Sequence, residues 1–381
     1  MRFKQQGHLL IAAVRDVQAA VRVFGALDIP LFQAPHAVNE TRVDRVSSSY
    51  SNILYSQGWG NLGGLWGLVQ CWVNLFRLTK PDLIVADHAP TAVLAAQALG
   101  IAVVQIGNGF ELPPLTNPLP CLPESAGISA ERLIQTEVQI VESINRVHSR
   151  LGVGKIRHLA ELFAQTPRFL TCFAELDHYG QRTAETYWGP LLPDASGTNV
   201  AWPTGSGPRV FAYIALSGHE VAAIIRGLAL RGARIVCVAP KLAVTERAQL
   251  QAEASIRFAE RVNLAELAAT ADLCVSHGAE GTVSSFLLAG VPQLVRPPYL
   301  EGYAAARRIE QLNAGLVLRG QLTPEVVAIT LDVMDSDSGY KTAALGFAEK
   351  YRHFKPRQTA DAIANLLNQG FEQLLTQRSN R

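Results

Sequence analysis

One segment, residues 276–297 (SHGAEGTVSSFLLAGVPQLVRP), constrains the fold of this chain more than any other. It follows a short apolar run at 273–275 that predicts a buried strand. Gly278 and Gly281 permit a tight backbone turn, and Thr282 opens a predicted helix. The first N–H groups of a helix have no partner inside the helix and attract anions. The segment therefore predicts a βα unit with a diphosphate, most simply that of a nucleotide, bound at its turn.

The rest of the chain repeats this alternation of short β-rich runs and longer helical patterns. In its second half the predicted strands are 210–214, 235–238, 256–258, 273–275 and 293–295, and the predicted helices between and after them are 218–231, 245–253, 282–289 and 303–313. Alternation of this kind predicts βαβ units around parallel sheets. At 381 residues the chain is long enough for two domains, each with its own core. A stretch rich in Pro, Gly, Ser and Thr at 193–208 is the predicted interdomain linker. We place one α/β domain at 1–192 and a second at 209–357, followed by a helical tail at 358–381.

Charge and cysteine usage exclude several classes of protein. Lys and Arg number 34 against 32 Asp and Glu, so the net charge of +2 gives no case for a nucleic-acid partner. The five cysteines form no CxxC pair, which indicates reduced thiols in a cytoplasmic protein and neither a disulfide framework nor a metal site. We expect no metal and no bound cofactor.

A long uncharged stretch at 47–76 is the one candidate for membrane contact. Polar residues and glycines interrupt it too often for a membrane span, so we expect no stable membrane insertion. Its apolar residues recur at helical spacing and predict one apolar face. Packing of this face on the sheet is the simplest interpretation. Trp59 and Trp66 would also suit the wall of a pocket for a bulky apolar ligand, and docking on a membrane surface is a third alternative.

The motif HGAEGT at 277–282, followed by Gly290-Val291-Pro292 and Glu301, resembles the UDP-glycosyltransferase-like enzymes of GT-B fold. The segment KPDLIVAD at 80–87 resembles the middle of their acceptor domain. The resemblance implies an α/β protein with two Rossmann-like domains that face each other across a cleft. It also implies that the tail at 358–381 returns to the first domain.

The same resemblance implies roles for individual residues. His277, Gly278, Gly281 and Thr282 would bind the diphosphate of a nucleotide-sugar donor, and Glu301 would bind the sugar. Outside that motif, Ser217 and Gly218 are further candidates for phosphate contact. An N-cap serine is the competing interpretation of Ser217. Asn108, Gly109 and Phe110, in the loop after a predicted strand, would line the acceptor pocket together with Trp59 and Trp66, unless they form an ordinary loop.

The sequence also departs from the family pattern. Ala279 replaces a glycine, and Gly302 replaces the glutamine that would assist Glu301, which implies an altered sugar preference or weaker donor binding. The first strand of the family and its loop with the catalytic histidine have no counterpart. Residues 1–6 read as the last turn of the helix that follows that loop, so we expect Met1 to be an internal or misassigned start.

Three residues bear on catalysis. His8 follows a glycine but matches a later turn of the family, so we interpret it as a surface turn histidine. Asp87 matches the carboxylate that orients the catalytic histidine, and a helix N-cap role with Pro90 in the first turn is its alternative. His88 is adjacent, although neighbouring side chains of an extended segment point to opposite faces.

These observations predict a cytoplasmic glycosyltransferase that moves a hexose-type sugar from a UDP- or dTDP-sugar to a hydroxyl group of a small, largely apolar acceptor, without a metal ion. The alternative is a catalytically impaired, donor-binding subunit that partners an active transferase. A nucleotide-sugar epimerase of the same fold is a third hypothesis. The expected partners are the donor and the acceptor, with a partner protein or a homodimer as open possibilities.

Overall fold

A computed structural model of the protein describes residues 2–37, 49–122, 129–192 and 197–379. The chain divides into two compact units, the first formed by Met1–Thr171 with Gln358–Arg381 and the second by Cys172–Arg357. The division falls earlier than the predicted boundary at 192, because Phe173 and Leu176 pack in an apolar core of the second unit. Part of the predicted linker, 193–196, lies outside the described residues.

Among its described residues, the first unit contains five strands and the helices that connect or flank them. The strands are β1 (Ala12–Val14), β2 (Leu31–Gln33), β3 (Leu83–Asp87), β4 (Ala102–Gly107) and β5 (Arg168–Leu170). The helices are α1 (Arg2–Gln5), α2 (Val17–Phe24), α3 (Tyr50–Leu54), α4 (Leu62–Thr79), α5 (Pro90–Ala98), α6 (Ala130–Leu151), α7 (Leu159–Ala164) and, from Gln358 onward, α15 (Pro356–Ser379).

All strand pairs of the first unit that the structure describes are parallel. β1 pairs with β2, and β3, β4 and β5 form a separate sheet in that order. Parallel strands are joined by crossover helices, and burying these helices forms the core. The buried side chains come mainly from α4, α5, α6 and α7.

In the described part of the second unit, one parallel sheet of six strands forms the centre. They are β6 (Arg209–Tyr213), β7 (Arg234–Val238), β8 (Ile256–Phe258), β9 (Leu273–Ser276), β10 (Gln293–Val295) and β11 (Gly315–Val317). The helices are α8 (Gly218–Leu230), α9 (Val244–Glu253), α10 (Leu264–Thr270), α11 (Glu280–Leu288), α12 (Leu300–Gln311), α13 (Pro324–Ser336) and α14 (Gly339–Lys350).

The strand order of this sheet is β11-β10-β9-β6-β7-β8. The strands β7 and β8 therefore follow β6 on one side of the sheet, and β10 and β11 follow β9 on the other side. The point where the order reverses lies between β6 and β9, and parallel α/β sheets bind ligands at the carboxyl ends of the two strands that flank such a point.

Most predicted strands of the second unit are observed within one residue of their predicted bounds, and Ile256–Phe258 and Gln293–Val295 agree at both ends. The strand β11 and the short helix α10 were not predicted. Helix α11 begins at Glu280, two residues before the predicted start at Thr282. None of the helices in the described ranges is long and apolar enough to cross a membrane.

Candidate diphosphate-binding site

The predicted diphosphate-binding motif lies at the switch point of the second unit. The strands β6 and β9 are hydrogen-bonded neighbours, with Tyr213 opposite Ser276 in the register. His277 therefore follows β9, and Ser217 follows β6, at the same edge of the sheet. Sequence reasoning placed both residues after strands, but the pairing of those two strands is decided by the tertiary structure.

The imidazole of His277 is held from one side by the neighbouring strand. Its Nδ1 lies 3.0 Å from the carbonyl oxygen of Tyr213, which can only accept, so Nδ1 carries the proton. The Tyr213 ring packs edge-on at 4.7 Å between centroids. Nε2 is the ring atom left without a hydrogen bond among the described residues. Burial lowers the pKa of His277, opposed by the bond to Tyr213 and assisted by the charge of Lys241.

The turn at Gly278 has a positive φ of 91° and is packed closely against helix α12. A β-carbon at position 278 would lie 3.0 Å from the carbonyl oxygen of Gly302. One at Gly302 would lie 2.8 Å from the carbonyl oxygen of His277 and 3.1 Å from Pro297. The glycine that replaces the glutamine of the family is therefore the residue that lets α12 approach the His277–Gly278 turn.

The backbone N–H groups of the motif differ in their availability. The Thr282 N–H is bonded to the carbonyl oxygen of Ala279 at 3.0 Å, and the Gly278 N–H to the Ser276 hydroxyl at 3.2 Å. Within the described ranges, the Gly281 N–H in the first turn of α11 has no acceptor, and Ala279 provides no side-chain cap. The amide of Gly281 is thus the best placed of the three predicted donors to meet an anion.

Ser217 is the N-cap of helix α8, as the competing interpretation proposed. Its Oγ accepts from the backbone N–H of Glu220 at 3.5 Å and donates to the Glu220 carboxylate at 3.1 Å. Arg296, after β10, holds that carboxylate with two hydrogen bonds of 3.0 and 2.8 Å. Burial would raise the pKa of Glu220, but hydrogen bonds from Arg296 and Ser217 keep it below its ordinary value. The serine is therefore held by the Glu220–Arg296 ion pair, which sequence reasoning did not identify, and Gly218 follows it as the first residue of α8.

Glu301 lies in the first turn of α12, directly before Gly302. Its neighbour Tyr299 is the N-cap residue, and the centroid of its ring lies 6.3 Å from that of His277. Burial, with the charges of Glu301 and Tyr213, raises the pKa of Tyr299. Tyr299 and Tyr213 thus both lie near the histidine, and no sequence motif indicated either of them.

In the first unit, the predicted catalytic residue Asp87 lies at the carboxyl end of β3, opposite Ile106 of β4. His88 follows with a left-handed φ of 42°. Its ring lies between those of Tyr50 and Phe110, with centroid distances of 6.1 and 5.9 Å. Asp87 and His88 are both exposed, whereas Tyr50 and Phe110 are buried.

The loop after β4, predicted to line an acceptor pocket, is fixed by its own hydrogen bonds. The Asn108 side-chain oxygen accepts from the N–H of Phe110 at 2.8 Å, and the Glu111 carboxylate accepts from the N–H of Asn108 at 2.7 Å. Asn108 and Phe110 are 6% and 9% exposed. These contacts turn the Phe110 ring toward His88 at the carboxyl edge of the sheet.

The two tryptophans lie in different environments. Trp59 is 1% exposed in the core of the first unit, which favours the packing interpretation. Trp66 is half-buried, and the guanidinium of Arg150 stacks over its ring at 4.8 Å. His8 contacts Asn368 of α15 through Nε2 at 3.0 Å, which favours its interpretation as a turn residue.

A cavity of about 320 Å³ lies at the opposite, amino edge of the sheet in the second unit. Its wall includes Val210, Leu273 and Met334, and its charged rim includes Arg231 and Asp335, which pair at 2.9 Å. The described residues hold no group of three or more metal-ligating side chains.

Three comparisons with known proteins bear on the family and fold of this chain. Residues 233–366 match the family model of the erythromycin biosynthesis protein CIII-like C-terminal domain. The sterol 3-beta-glucosyltransferase of Yarrowia lipolytica is 42% identical over 48 residues, which are 13% of this chain and 3% of that protein.

Among solved structures, the calicheamicin glycosyltransferase CalG4 matches with a TM-score of 0.68 and 17% identity over 96% of this chain and 92% of that one. The spinosyn rhamnosyltransferase SpnG matches with a TM-score of 0.64 and 17% identity, over 95% of this chain and 93% of that one. The glycosyltransferase VinC, solved in complex with dTDP, matches with a TM-score of 0.63 and 18% identity, over 96% of this chain and 94% of that one. The predicted GT-B fold, and the resemblance to its glycosyltransferases, are confirmed.

Proposed function

We propose that this protein transfers a hexose-type sugar from a UDP- or dTDP-sugar to a hydroxyl group of a small, largely apolar acceptor, without a metal ion. The second unit binds the donor, and the first unit binds the acceptor. We also expect the protein to work in the cytoplasm, where its five cysteines stay reduced.

One observation carries the donor half of this proposal. The His277–Thr282 loop lies at the switch point of a parallel sheet, at the start of α11, with an open Gly281 N–H and an unbonded His277 Nε2. A preorganised donor such as the Gly281 N–H, together with His277 Nε2 once it is protonated, stabilises the charge that develops on a diphosphate as it leaves. SpnG was solved with thymidine diphosphate and VinC with dTDP, and both complexes are consistent with a nucleoside diphosphate here.

The acceptor half is supported by the side chains at the carboxyl end of strands β3 and β4 in the first unit. Phe110, Tyr50 and the exposed His88 form an aromatic wall beside Asp87. An apolar wall with a few polar groups is typical of a pocket for a small apolar molecule. SpnG was also solved with a spinosyn aglycone, and the Yarrowia lipolytica relative is named for a sterol, which is a largely apolar alcohol.

Two measurements test the proposal. Calorimetry with UDP and with dTDP measures donor binding, with and without EDTA. Chromatography of mixtures containing UDP-glucose or dTDP-glucose with ergosterol or a macrolide aglycone detects transfer. We expect binding of at least one diphosphate that EDTA leaves unchanged, and a glycosylated product from at least one pair.

Site variants sharpen the test. His277→Ala is expected to weaken binding of the bare diphosphate, whereas Glu301→Ala, which removes a contact to the sugar, leaves it unchanged. Equal loss in both variants would contradict the assignment of separate diphosphate and sugar contacts. Binding of neither nucleotide by the wild-type protein would overturn the proposed function itself.

A further inference from the structure

We infer that Asp87 is itself the proton acceptor for the sugar-accepting hydroxyl group, and that His88 is a positioning residue beside it. This inference rests on the proposed function and assigns its base. It differs from the role that the resemblance implies for Asp87, which is to orient a histidine.

The structure excludes the alternative role of Asp87 as a helix N-cap. Helix α5 begins at Pro90, its N-cap is Ala89, and no side chain caps it. Asp87 therefore does not serve as the helix cap. Asp87 ends strand β3 just before helix α5, where a carboxylate often caps the helix. Within the described part of the chain, however, its carboxylate has no hydrogen bond and no ion pair. A carboxylate in such a place is free to bind something else.

The carboxylate combines access with desolvation. The Asp87 residue is exposed, so a ligand can reach it, yet surrounding protein raises its pKa by desolvation. Exposure and a raised pKa are both expected of a carboxylate in a recess of the surface. Water reaches its oxygen atoms there, while neighbouring protein atoms exclude most of the bulk solvent. A raised pKa brings a carboxylate closer to the working pH and makes it a better general base.

His88 has the opposite character. Its ring is held between Tyr50 and Phe110, and its left-handed backbone fixes its direction. Although solvent reaches this residue, burial by the surrounding protein and the charge of Arg15 lower the pKa of His88 to about 4, so it is neutral at pH 7 and a weak base. Backbone strain of this kind persists where the surrounding structure fixes a residue, and it clusters at functional sites. The neutral ring is suited to orient an acceptor by contact and hydrogen bonding.

The register of the sheet places the acceptor loop next to this carboxylate. Asp87 pairs with Ile106, so Gly107 and Asn108 continue from the adjacent strand end. The Asn108–Glu111 hydrogen bonds hold that loop in place. A hydroxyl group that contacts the Phe110 and His88 rings would thus lie beside Asp87.

The chemical step balances with the groups named. The acceptor O–H bond breaks and its proton passes to the Asp87 carboxylate. The oxygen electron pair forms a bond to the anomeric carbon of the donor sugar, and the bond from that carbon to the diphosphate oxygen breaks. The nucleoside diphosphate leaves with that electron pair, and Asp87 later releases the proton to solvent.

The test compares four variants, Asp87→Asn, Asp87→Ala, His88→Gln and the control Asp82→Asn. Asp82 is a carboxylate just before the amino end of the same strand, at the opposite edge of the sheet. The readouts are transfer from dTDP-glucose or UDP-glucose to ergosterol or the macrolide aglycone, hydrolysis of the donor, and calorimetric binding of the diphosphate.

We expect Asp87→Asn to lower kcat by about 10²- to 10⁴-fold, the range for loss of a general base, with diphosphate binding unchanged. Added formate or azide should partly restore the rate of Asp87→Ala, which a merely structural role would not allow. His88→Gln should mainly raise KM for the acceptor. Asp82→Asn should keep the wild-type rate.

Other outcomes separate the two proposals. If Asp87→Asn keeps its rate, or if His88→Gln alone loses kcat by the factor expected for Asp87, the assignment of the base is wrong and the proposed function stands. If the wild-type protein binds the diphosphate but neither transfers nor hydrolyses any donor, the proposed transferase function fails, and this inference fails with it.

Discussion

The backbone of Gly302 lies against the turn at Gly278, so closely that a β-carbon at position 278 would be 3.0 Å from the Gly302 carbonyl oxygen. The contact joins the first turn of α12 to the loop that carries His277. A glycine at position 302 permits this close approach.

We therefore predict that Gly302→Ala destabilises the second unit. The new β-carbon would approach the His277 carbonyl oxygen to 2.8 Å, and overpacking of this kind costs about 1–3 kcal/mol. Chemical denaturation measures the loss. The control is Gly346→Ala in α14, where a β-carbon meets nothing within 4 Å and alanine should stabilise the helix by up to about 1 kcal/mol. Equal effects of the two variants would refute the steric argument.

The second prediction is that binding of a nucleoside diphosphate takes up a proton at His277. In the free protein, burial keeps the pKa of His277 below its ordinary value, and Nδ1 is committed to Tyr213. A bound diphosphate favours protonation of Nε2 and raises that pKa. Between the two pKa values binding takes up a proton, so affinity increases as the pH falls.

Calorimetry in two buffers of different ionisation enthalpy measures this uptake directly. We expect a fraction of a proton at pH 7 that disappears in His277→Gln. An uptake that the variant retains would assign the proton to another group.

The third prediction concerns the acid sensitivity of the second unit. His178 is 2% exposed, and burial, with the charges of Arg182 and Arg308, lowers its pKa from 6.5 to about 3. Between pH 6.5 and about 3, the unfolded chain therefore binds a proton at His178 that the folded chain excludes. The free energy of unfolding should therefore fall as the pH drops from about 6.5 towards 3, by up to about 1.4 kcal/mol per pH unit.

Denaturation at several pH values checks this slope. His178→Gln should flatten the pH dependence relative to wild type, whatever its effect at pH 7.

The fourth prediction compares a buried and an exposed ion pair. Asp177 is fully buried and contacts Arg182 Nε at 2.7 Å and the Tyr187 hydroxyl at 2.8 Å. Asp177→Ala would leave the buried guanidinium of Arg182 without this partner, and such a loss costs about 3–5 kcal/mol.

The matched control is Glu253→Ala, which removes the exposed partner of Arg226 at the same distance of 2.7 Å. Exposed pairs contribute little to stability because water screens them, so this variant should lose far less than Asp177→Ala. A denaturation experiment in which both variants lose the same stability would show that burial does not decide the value of these pairs.

Much of the fold was predictable because it depends on local pattern. Apolar runs bounded by turn residues located strands such as Ile256–Phe258 and Gln293–Val295. The strand β11 (Gly315–Val317) was missed because it begins with a glycine, a residue that is depleted in strands. Helix α11 starts two residues early because Ala279 takes an extended conformation as its N-cap, which no capping side chain signals.

For the candidate sites, the sequence alone determined which residue types stand after which strands: His277 and the glycines after one, Ser217 after another, and Asp87 after a third. Those facts depend only on short-range order along the chain. The tertiary structure decided that β6 and β9 are neighbours, that Gly302 packs on Gly278, and that Arg296 reaches Glu220. It also decided that Asp87 has a raised pKa and no capping role. Strand pairing, steric contact and desolvation depend on residues far apart in sequence, so no local pattern could reveal them.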